Sequence, residues 1–196
     1  LFKDGLISTF LKGMVKCAGY KPGALEDRYD SDGVFLYDRL NKSDMEMLEL
    51  AIRCHNMYRI PQGLNRREQA FCNVLRDADK VDIFKVNIDT PLEEIYNTTT
   101  EELMKSDITD EVLKAFDEEH CILKAIRRTP ADTVIGHVSL AYELVYDESV
   151  RITVEQGYLA KLMHFHSDNE ETNRKMAMVR DKMDSYVKKR IGEKYA

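Results

Sequence analysis

The sequence predicts an all-α protein, a single helical domain across residues 1–196 that forms a bundle of about eight or nine helices. Three observations support this fold class. The chain of 196 residues contains only 9 Gly and 4 Pro, the residues that most often interrupt helices. Apolar side chains recur every three or four positions, which is the spacing of one helical face. Helix-start signals recur between these apolar stretches.

The predicted elements are assigned from these signals in chain order. A first helix over 2–17 ends at a cluster of Gly and Pro, and residues 21–42 form a loop or short insertion. Capping boxes, in which a polar cap and an acid three residues later bond each other's backbone, open helices at Ser43, Asn65 and Ser167. The predicted helices after the first cover 43–58, 65–86, a short segment from Thr90, 109–120, a longer segment from Thr129, 149–165 with a break at Gly157, and the end of the chain.

Composition excludes several classes of function. The formal net charge is −6, whereas a general binder of nucleic acid polymers or of membrane surfaces needs a concentrated basic face. No stretch approaches the roughly 18 apolar residues of a membrane-spanning helix. The four cysteines are widely spaced among apolar neighbours, which is typical of core thiols in a reducing compartment. We therefore expect a cytoplasmic protein whose partner is neither nucleic acid nor membrane, and homo-oligomerisation stays open.

The most informative residues are a histidine and an aspartate on consecutive predicted helices. His55 shares the stripe of Leu48, Ala51 and Ile52, and Asp79 lies beside the apolar face of the next helix. Antiparallel helices joined by a short loop would bring the two together, and imidazole and carboxylate are both ligands of divalent metals. Two other interpretations stay open. His55 also fits a hydrogen-bonded core histidine, and the acids around Asp79 also fit a solvated helix face with ion pairs.

Two longer stretches extend the pattern. Residues 51–56 read Ala-Ile-Arg-Cys-His-Asn, and residues 71–83 read Phe-Cys-Asn-Val-Leu-Arg-Asp-Ala-Asp-Lys-Val-Asp-Ile. Together they resemble the second half of the HD-domain superfamily of metal-dependent phosphohydrolases. Similarity to the C-terminal helices of one bacterial branch continues at Asp132, over 142–149 and over 155–159, and residues 1–7 resemble the segment after the family's early metal-site helices. The resemblance covers most of the chain, with 21–42 as a local insertion.

The resemblance implies an HD-like helical fold and a metal-dependent phosphohydrolase that acts on a nucleotide or another small phosphate ester. It implies a divalent metal cofactor, such as Mn, Fe, Ni, Mg or Zn. Asp79 matches the family's late metal-ligating aspartate, and His55 matches a histidine that ligates metal or faces phosphate. The implied phosphate-binding and supporting residues are Lys80, Arg53 and Arg59, with Asn56 and Asp82 bracing the site.

The sequence departs from the family pattern at one place. The family has an early histidine and an adjacent His-Asp pair, but none of the five histidines in this chain precedes an aspartate. Because the chain also lacks an initiator methionine, we expect the missing ligands to lie upstream of Leu1. The alternative function is a catalytically incomplete helical module for binding, sensing or oligomerisation. Elsewhere, the His164-x-His166 pair is poorly spaced for one metal, and His137 fits a core position with its hydrogen bonds satisfied.

Overall fold

The computed structural model describes residues 42–192. This part of the chain is all-α, with 73% of its residues in helices and no strand. The predicted fold class is thus confirmed. The predicted helix over 2–17, residues 21–41 of the predicted loop over 21–42, and the family-like residues 1–7 lie outside the described residues. The last residue of that predicted loop, Lys42, begins the first described helix. Nine α-helices occur in this part of the chain: α1 Lys42–Cys54, α2 Arg66–Asp89, α3 Leu92–Tyr96, α4 Thr100–Lys105, α5 Asp110–Phe116, α6 Pro130–Val138, α7 Asp147–Gln156, α8 Tyr158–Met163 and α9 Glu170–Ile191.

Several helix boundaries lie where local sequence signals predict them. The Asn65 side chain accepts hydrogen bonds from the backbone N–H groups of Arg67 and Glu68, and the Glu68 carboxylate accepts from Asn65 N at 2.9 Å. This reciprocal arrangement is the predicted capping box of α2. Thr129 forms a second box with Asp132 at the start of α6. Gly157 adopts a φ of 71° between α7 and α8, a left-handed conformation that glycine tolerates best.

Two predicted caps are wrong. Ser43 already lies inside α1, which begins at Lys42. Ser167 is buried, and its hydroxyl donates to the Met104 carbonyl instead of capping the last helix. Asn169 caps α9, because its side chain accepts from the backbone N–H groups of Glu171 and Thr172. The Ser-x-x-Glu pattern therefore marked the neighbourhood of both helix starts without identifying the cap.

The chain divides into two compact units, Leu1–Asp79 and Lys80–Ala196, and each is described by itself. The prediction of one domain over residues 1–196 stays a prediction. In the second unit, α9 contributes Met176, Val179 and Met183, each fully buried in a large apolar core. The predicted long helix after Thr129 ends at Val138 and continues as a 3₁₀ helix over Ser139–Glu143. Helical spacing predicts that Val134, Val138 and Val145 pack together, but Val145 is 46% exposed, so the prediction is wrong for Val145.

The buried carboxylate of Asp132 joins two helix starts in the second unit. It accepts hydrogen bonds from Thr109 N at 2.8 Å, Arg128 N at 2.9 Å and Thr129 N at 3.2 Å. Thr109 and Thr129 are the N-caps of α5 and α6. The Asp132 carboxylate thereby satisfies backbone N–H donors at the starts of both α5 and α6. These hydrogen bonds explain why its charge can be fully buried, so its burial needs no catalytic role.

In the first unit, α1 and α2 run in the same direction. Near both starts, Arg67 pairs with Asp44 at 2.8 Å, and further along Arg76 reaches the Cys54 carbonyl at the end of α1. The predicted antiparallel pair is therefore wrong. The connection over 55–65 is long enough to run back along α1, because it can extend to about 36 Å and α1 is only about 20 Å long. The next helix can therefore begin beside the start of α1 and run parallel to it. A small core of Ala51, Cys54 and Cys72 lies between the helices.

In the described part of the chain, no helix combines the length and apolar character needed to cross a membrane.

Candidate metal and phosphate site

Arg76 organises the turn that comes after α1. Its guanidinium donates hydrogen bonds to the backbone carbonyls of Cys54 at 3.3 Å, Tyr58 at 3.4 Å and Met57. The side chain is only 6% exposed. Because the last carbonyls of a helix lack partners within it, a buried guanidinium at this position both satisfies them and fixes the turn. In the sequence, Arg76 comes one turn before Asp79, a spacing that predicts only an ion pair between the two residues.

His55 lies in this turn, one residue after the end of α1. The predicted helix through 58 is therefore too long, and Ile52, predicted to share a buried stripe with His55, is 43% exposed. The His55 ring is half-buried, and its Nδ1 lies 2.6 Å from the Ile52 carbonyl. A carbonyl only accepts hydrogen bonds, so Nδ1 carries the proton. The lone pair of neutral His55 is then on Nε2, which is the arrangement of many metal-ligating histidines.

Asp79 lies on the same face of α2 as Cys72 and Arg76. The three residues are separated by four and seven positions, which places them in one row along the helix. Since Cys54 and its following turn contact Arg76, the end of α1 lies beside α2 one turn before Asp79. Asp79 is half-buried and makes interactions of its own. The structure thus places the turn of His55 and the helical turn of Asp79 in the same part of the first unit.

The middle of α2 buries charge. Asp77 is 2% exposed and Lys80 is 5% exposed, and both have interaction partners. The helical spacing of Phe71, Val74 and Ala78 predicts that they face the core, but all three are only half-buried. A solvated helix face does not bury Asp77 to this degree, so that interpretation is wrong for this residue. Buried charges are costly, and functional sites are where proteins commonly keep them.

Asp82 comes one turn after Asp79 and is half-buried. Burial raises the pKa of its carboxyl, and the positive charge of Lys85 partly opposes this effect. Burial thus disfavours the charged form of this carboxyl in the absence of a neighbouring cation. The predicted supporting role of Asp82 stays a prediction.

The remaining candidates lie at the surface. Arg53, Asn56 and Arg59 are all exposed, and the Arg59 guanidinium lies 5.7 Å from the centre of the Tyr58 ring. Of the three predicted phosphate-binding cations, only Lys80 is therefore buried. Exposed arginines are mobile and well hydrated, so they contribute less to a preorganised site than a buried lysine does.

The donor chemistry of His55 and Asp79 fits a divalent metal, since imidazole nitrogen and carboxylate oxygen bind Mn, Fe, Ni and Zn ions. Two ligands are not a complete site. Within residues 42–192, no three His, Cys, Asp or Glu side chains are grouped so that they could hold a metal ion.

Two other histidine groups do not extend the site. His164 and His166 are exposed, and Nδ1 of His164 lies 2.7 Å from the Ala160 carbonyl at the end of α8. His137 is half-buried in the second unit, as predicted, but its Nδ1 is buried without a hydrogen-bond partner. The expectation that its hydrogen bonds are satisfied is therefore wrong.

No protein-family model matches this chain, and neither a curated protein nor a solved structure matches it. The resemblance of its sequence pattern to HD-type phosphohydrolases accordingly stays a prediction.

Proposed function

We propose that the protein is a metal-dependent phosphohydrolase of HD type that acts on a nucleotide or another small phosphate ester in the cytoplasm. The observation that carries this proposal is the burial of three charged residues, Arg76, Asp77 and Lys80, within three positions of Asp79 along α2. Helices of a plain scaffold rarely bury such a set, because removing charges from water is costly. The free thiols of Cys54, Cys72 and Cys121 support a reducing compartment.

Each residue has a defined role in this proposal. Asp79 and Nε2 of His55 would hold the metal, with His55 oriented by its bond to the Ile52 carbonyl. A bound divalent ion would polarise the phosphate and make hydroxide available near neutral pH. Lys80 would balance the negative charge that develops on phosphate, and its burial would strengthen this interaction. Asp82 and Asn56 would brace the site, and Arg53 and Arg59 would meet the outer part of the substrate.

A second candidate is a catalytically incomplete helical module for binding, sensing or oligomerisation. The observation that favours it is the sequence itself, in which no histidine precedes an aspartate. An HD-type site needs that pair in addition to Asp79. The two candidates differ in whether the natural protein supplies the pair and turns over a phosphate ester.

The test uses the protein in its natural full length, with p-nitrophenyl phosphate and a panel of nucleotides assayed in Mn²⁺, Ni²⁺ or Mg²⁺. Asp79→Asn should lower kcat/KM by about 100-fold or more and lower the bound metal measured by mass spectrometry. Asp89→Asn is the matched control, since Asp89 is exposed near the end of the same helix and pairs with Lys85.

The metal-binding role of His55 can also be tested with a matched control variant. His55→Gln should lower metal content by about 10-fold or more. His164→Gln should leave it unchanged, because His164 makes the same kind of Nδ1 contact with a helix-end carbonyl but is exposed in the second unit. Full activity and metal content in Asp79→Asn would contradict the proposal. A full-length protein with no phosphatase activity in any of the three metals would favour the non-catalytic module.

A further inference from the structure

Two buried cysteines lie against one another between α1 and α2. Cys54, the last residue of α1, is 2% exposed, and Cys72 in α2 is fully buried at 0%. Both residues belong to the small core of the first unit, where burial and the neighbouring Cys54 thiol raise the pKa of the Cys72 thiol to about 11. In the structure both are free thiols. The fold thus holds two thiols from separate helices in contact, without a disulfide between them.

The surroundings fix this juxtaposition from both sides. Arg76, one turn after Cys72, donates to the Cys54 carbonyl at 3.3 Å, so the backbone of Cys54 is tied to α2. Ala51 and half-buried Leu75 pack in the same cluster. A disulfide requires its two Cβ atoms to lie within about 4.5 Å. The packing of both cysteines in one small core, on helices that Arg76 ties together, favours that approach.

We propose that Cys54 and Cys72 form a reversible disulfide when the protein meets a peroxide oxidant. One thiol of the pair attacks hydrogen peroxide, loses its proton as it reacts, and gives a sulfenic acid and water. The second thiol then attacks that sulfur, forms the S–S bond and releases a second water. Overall, two thiols lose two electrons and two protons, and the peroxide gains them. A dithiol reductant reverses the step. This inference does not depend on the proposed function.

The consequence of the bond is local. It would link the end of α1 covalently to α2 and close the loop over 55–71, which contains His55. The other described cysteine has a different environment. Cys121 is half-buried in the second unit, and its sulfur donates to the Ile122 carbonyl at 3.8 Å. Cys54 and Cys72 therefore form a thiol pair, whereas the Cys121 thiol is bonded to a backbone carbonyl.

The experiment oxidises the folded full-length protein with hydrogen peroxide, blocks the remaining thiols, and digests it with trypsin without reductant. Cleavage after Arg53, Arg59, Arg67 and Arg76 places the two cysteines in separate short peptides, 54–59 and 68–76. We expect these peptides to be linked in a single species that is lighter by two hydrogen atoms and separates on reduction. This pair should exceed every other cysteine pair by about tenfold or more, because contact raises its rate of closure.

Three variants complete the test. Cys54→Ala and Cys72→Ala should each abolish the linked species and leave the other thiol open to alkylation after unfolding. Cys121→Ala should leave its yield unchanged. The same oxidation in urea should spread the pairing over several cysteines, which shows that the native fold selects the pair. The proposal is overturned if the folded protein yields no 54–59 to 68–76 link, or if links to Cys17 or Cys121 form equally well.

Discussion

At the scale of single residues, the buried position of the Arg127 guanidinium requires that residue 136 has no side chain. Its guanidinium donates to the carbonyls of Ile122 and Gly136, and a Cβ on Gly136 would overlap its Cζ and Nε atoms. Nε of Arg127 is buried without a hydrogen-bond partner. Gly136 is therefore explained by a close approach, although glycine inside a helix costs about 1 kcal/mol relative to alanine.

Gly136→Ala should consequently destabilise the protein by about 1–3 kcal/mol, since the buried guanidinium must move. In an Arg127→Ala background the same change should have the opposite sign and stabilise by up to about 1 kcal/mol, because only helix propensity remains. Urea unfolding of the wild type, both single variants and the double variant measures this cycle. Equal effects of Gly136→Ala in both backgrounds would show that Arg127 does not explain the glycine.

His137 makes stability depend on pH. Burial, reinforced by the nearby charges of Arg127 and Lys124, lowers the pKa of His137 to about 4. An unfolded histidine titrates near about 6.5, so between these values the unfolded state binds a proton that the folded state does not. The free energy of unfolding should therefore fall by up to about 3 kcal/mol as pH drops from about 6.5 to about 4. Below about pH 4, His137 should cause no further loss of stability.

Unfolding in urea across this pH range, with His137→Gln as the variant, isolates the contribution. The wild type should lose more stability on acidification than His137→Gln does. His166→Gln is the control, since His166 is exposed, and it should behave as the wild type does. Parallel profiles for wild type and His137→Gln would contradict the assignment.

At the scale of helices, the contact of Arg76 with the end of α1 determines where His55 lies. Arg76 reaches three carbonyls over residues 54–58, so a single side chain of α2 holds the turn that carries the histidine. It also fixes the shared direction of α1 and α2, together with the Arg67–Asp44 pair. The orientation of the candidate ligand therefore depends on contacts between helices more than on the helix of His55 itself.

Arg76→Ala should destabilise the protein by about 2–4 kcal/mol, because buried carbonyls lose a charged donor. Hydrogen–deuterium exchange should increase most over residues 52–60. Arg66→Ala provides the control, since Arg66 is exposed at the start of the same helix, and it should change stability by less than about 0.5 kcal/mol. Unchanged exchange over 52–60 in Arg76→Ala would show that the turn is held by other contacts.

Features that depend on neighbouring residues could be predicted from the sequence. The caps at Asn65 and Thr129 and the break at Gly157 were predicted correctly, because they depend on residues within four positions. The parallel direction of α1 and α2 and the end of α1 at Cys54 were not predicted. Both depend on contacts of Arg76, which lies 22 positions after Cys54 in the sequence. Burial of Asp77 was missed because periodicity assigns charged residues to solvent. His55 and Asp79 as metal ligands stay predictions, since one sequence pattern and donor chemistry support them.

At the scale of the whole molecule, buried charge is a cost that the rest of the fold must offset. Arg76, Asp77 and Lys80 are each less than a tenth exposed, and the chain as a whole carries a net charge of −6. A bound cation next to Asp79 would neutralise a carboxylate in this environment. Because any ligand that binds only the folded state stabilises it, metal binding should be visible in the unfolding of the entire protein.

We therefore expect Mn²⁺ to raise the thermal unfolding midpoint of the full-length protein. At a free concentration about 100 times Kd, the gain is about 2.7 kcal/mol, or about 5–10 °C in Tm for a protein of this size. Asp79→Asn should remove most of this shift, whereas Asp89→Asn should retain it. The measurement is differential scanning fluorimetry with and without Mn²⁺, with Ca²⁺ as a comparison ion that prefers all-oxygen sites. An equal Mn²⁺ shift in wild type and Asp79→Asn would place the metal elsewhere in the molecule, and Asp79 would then act only through the buried charges around it.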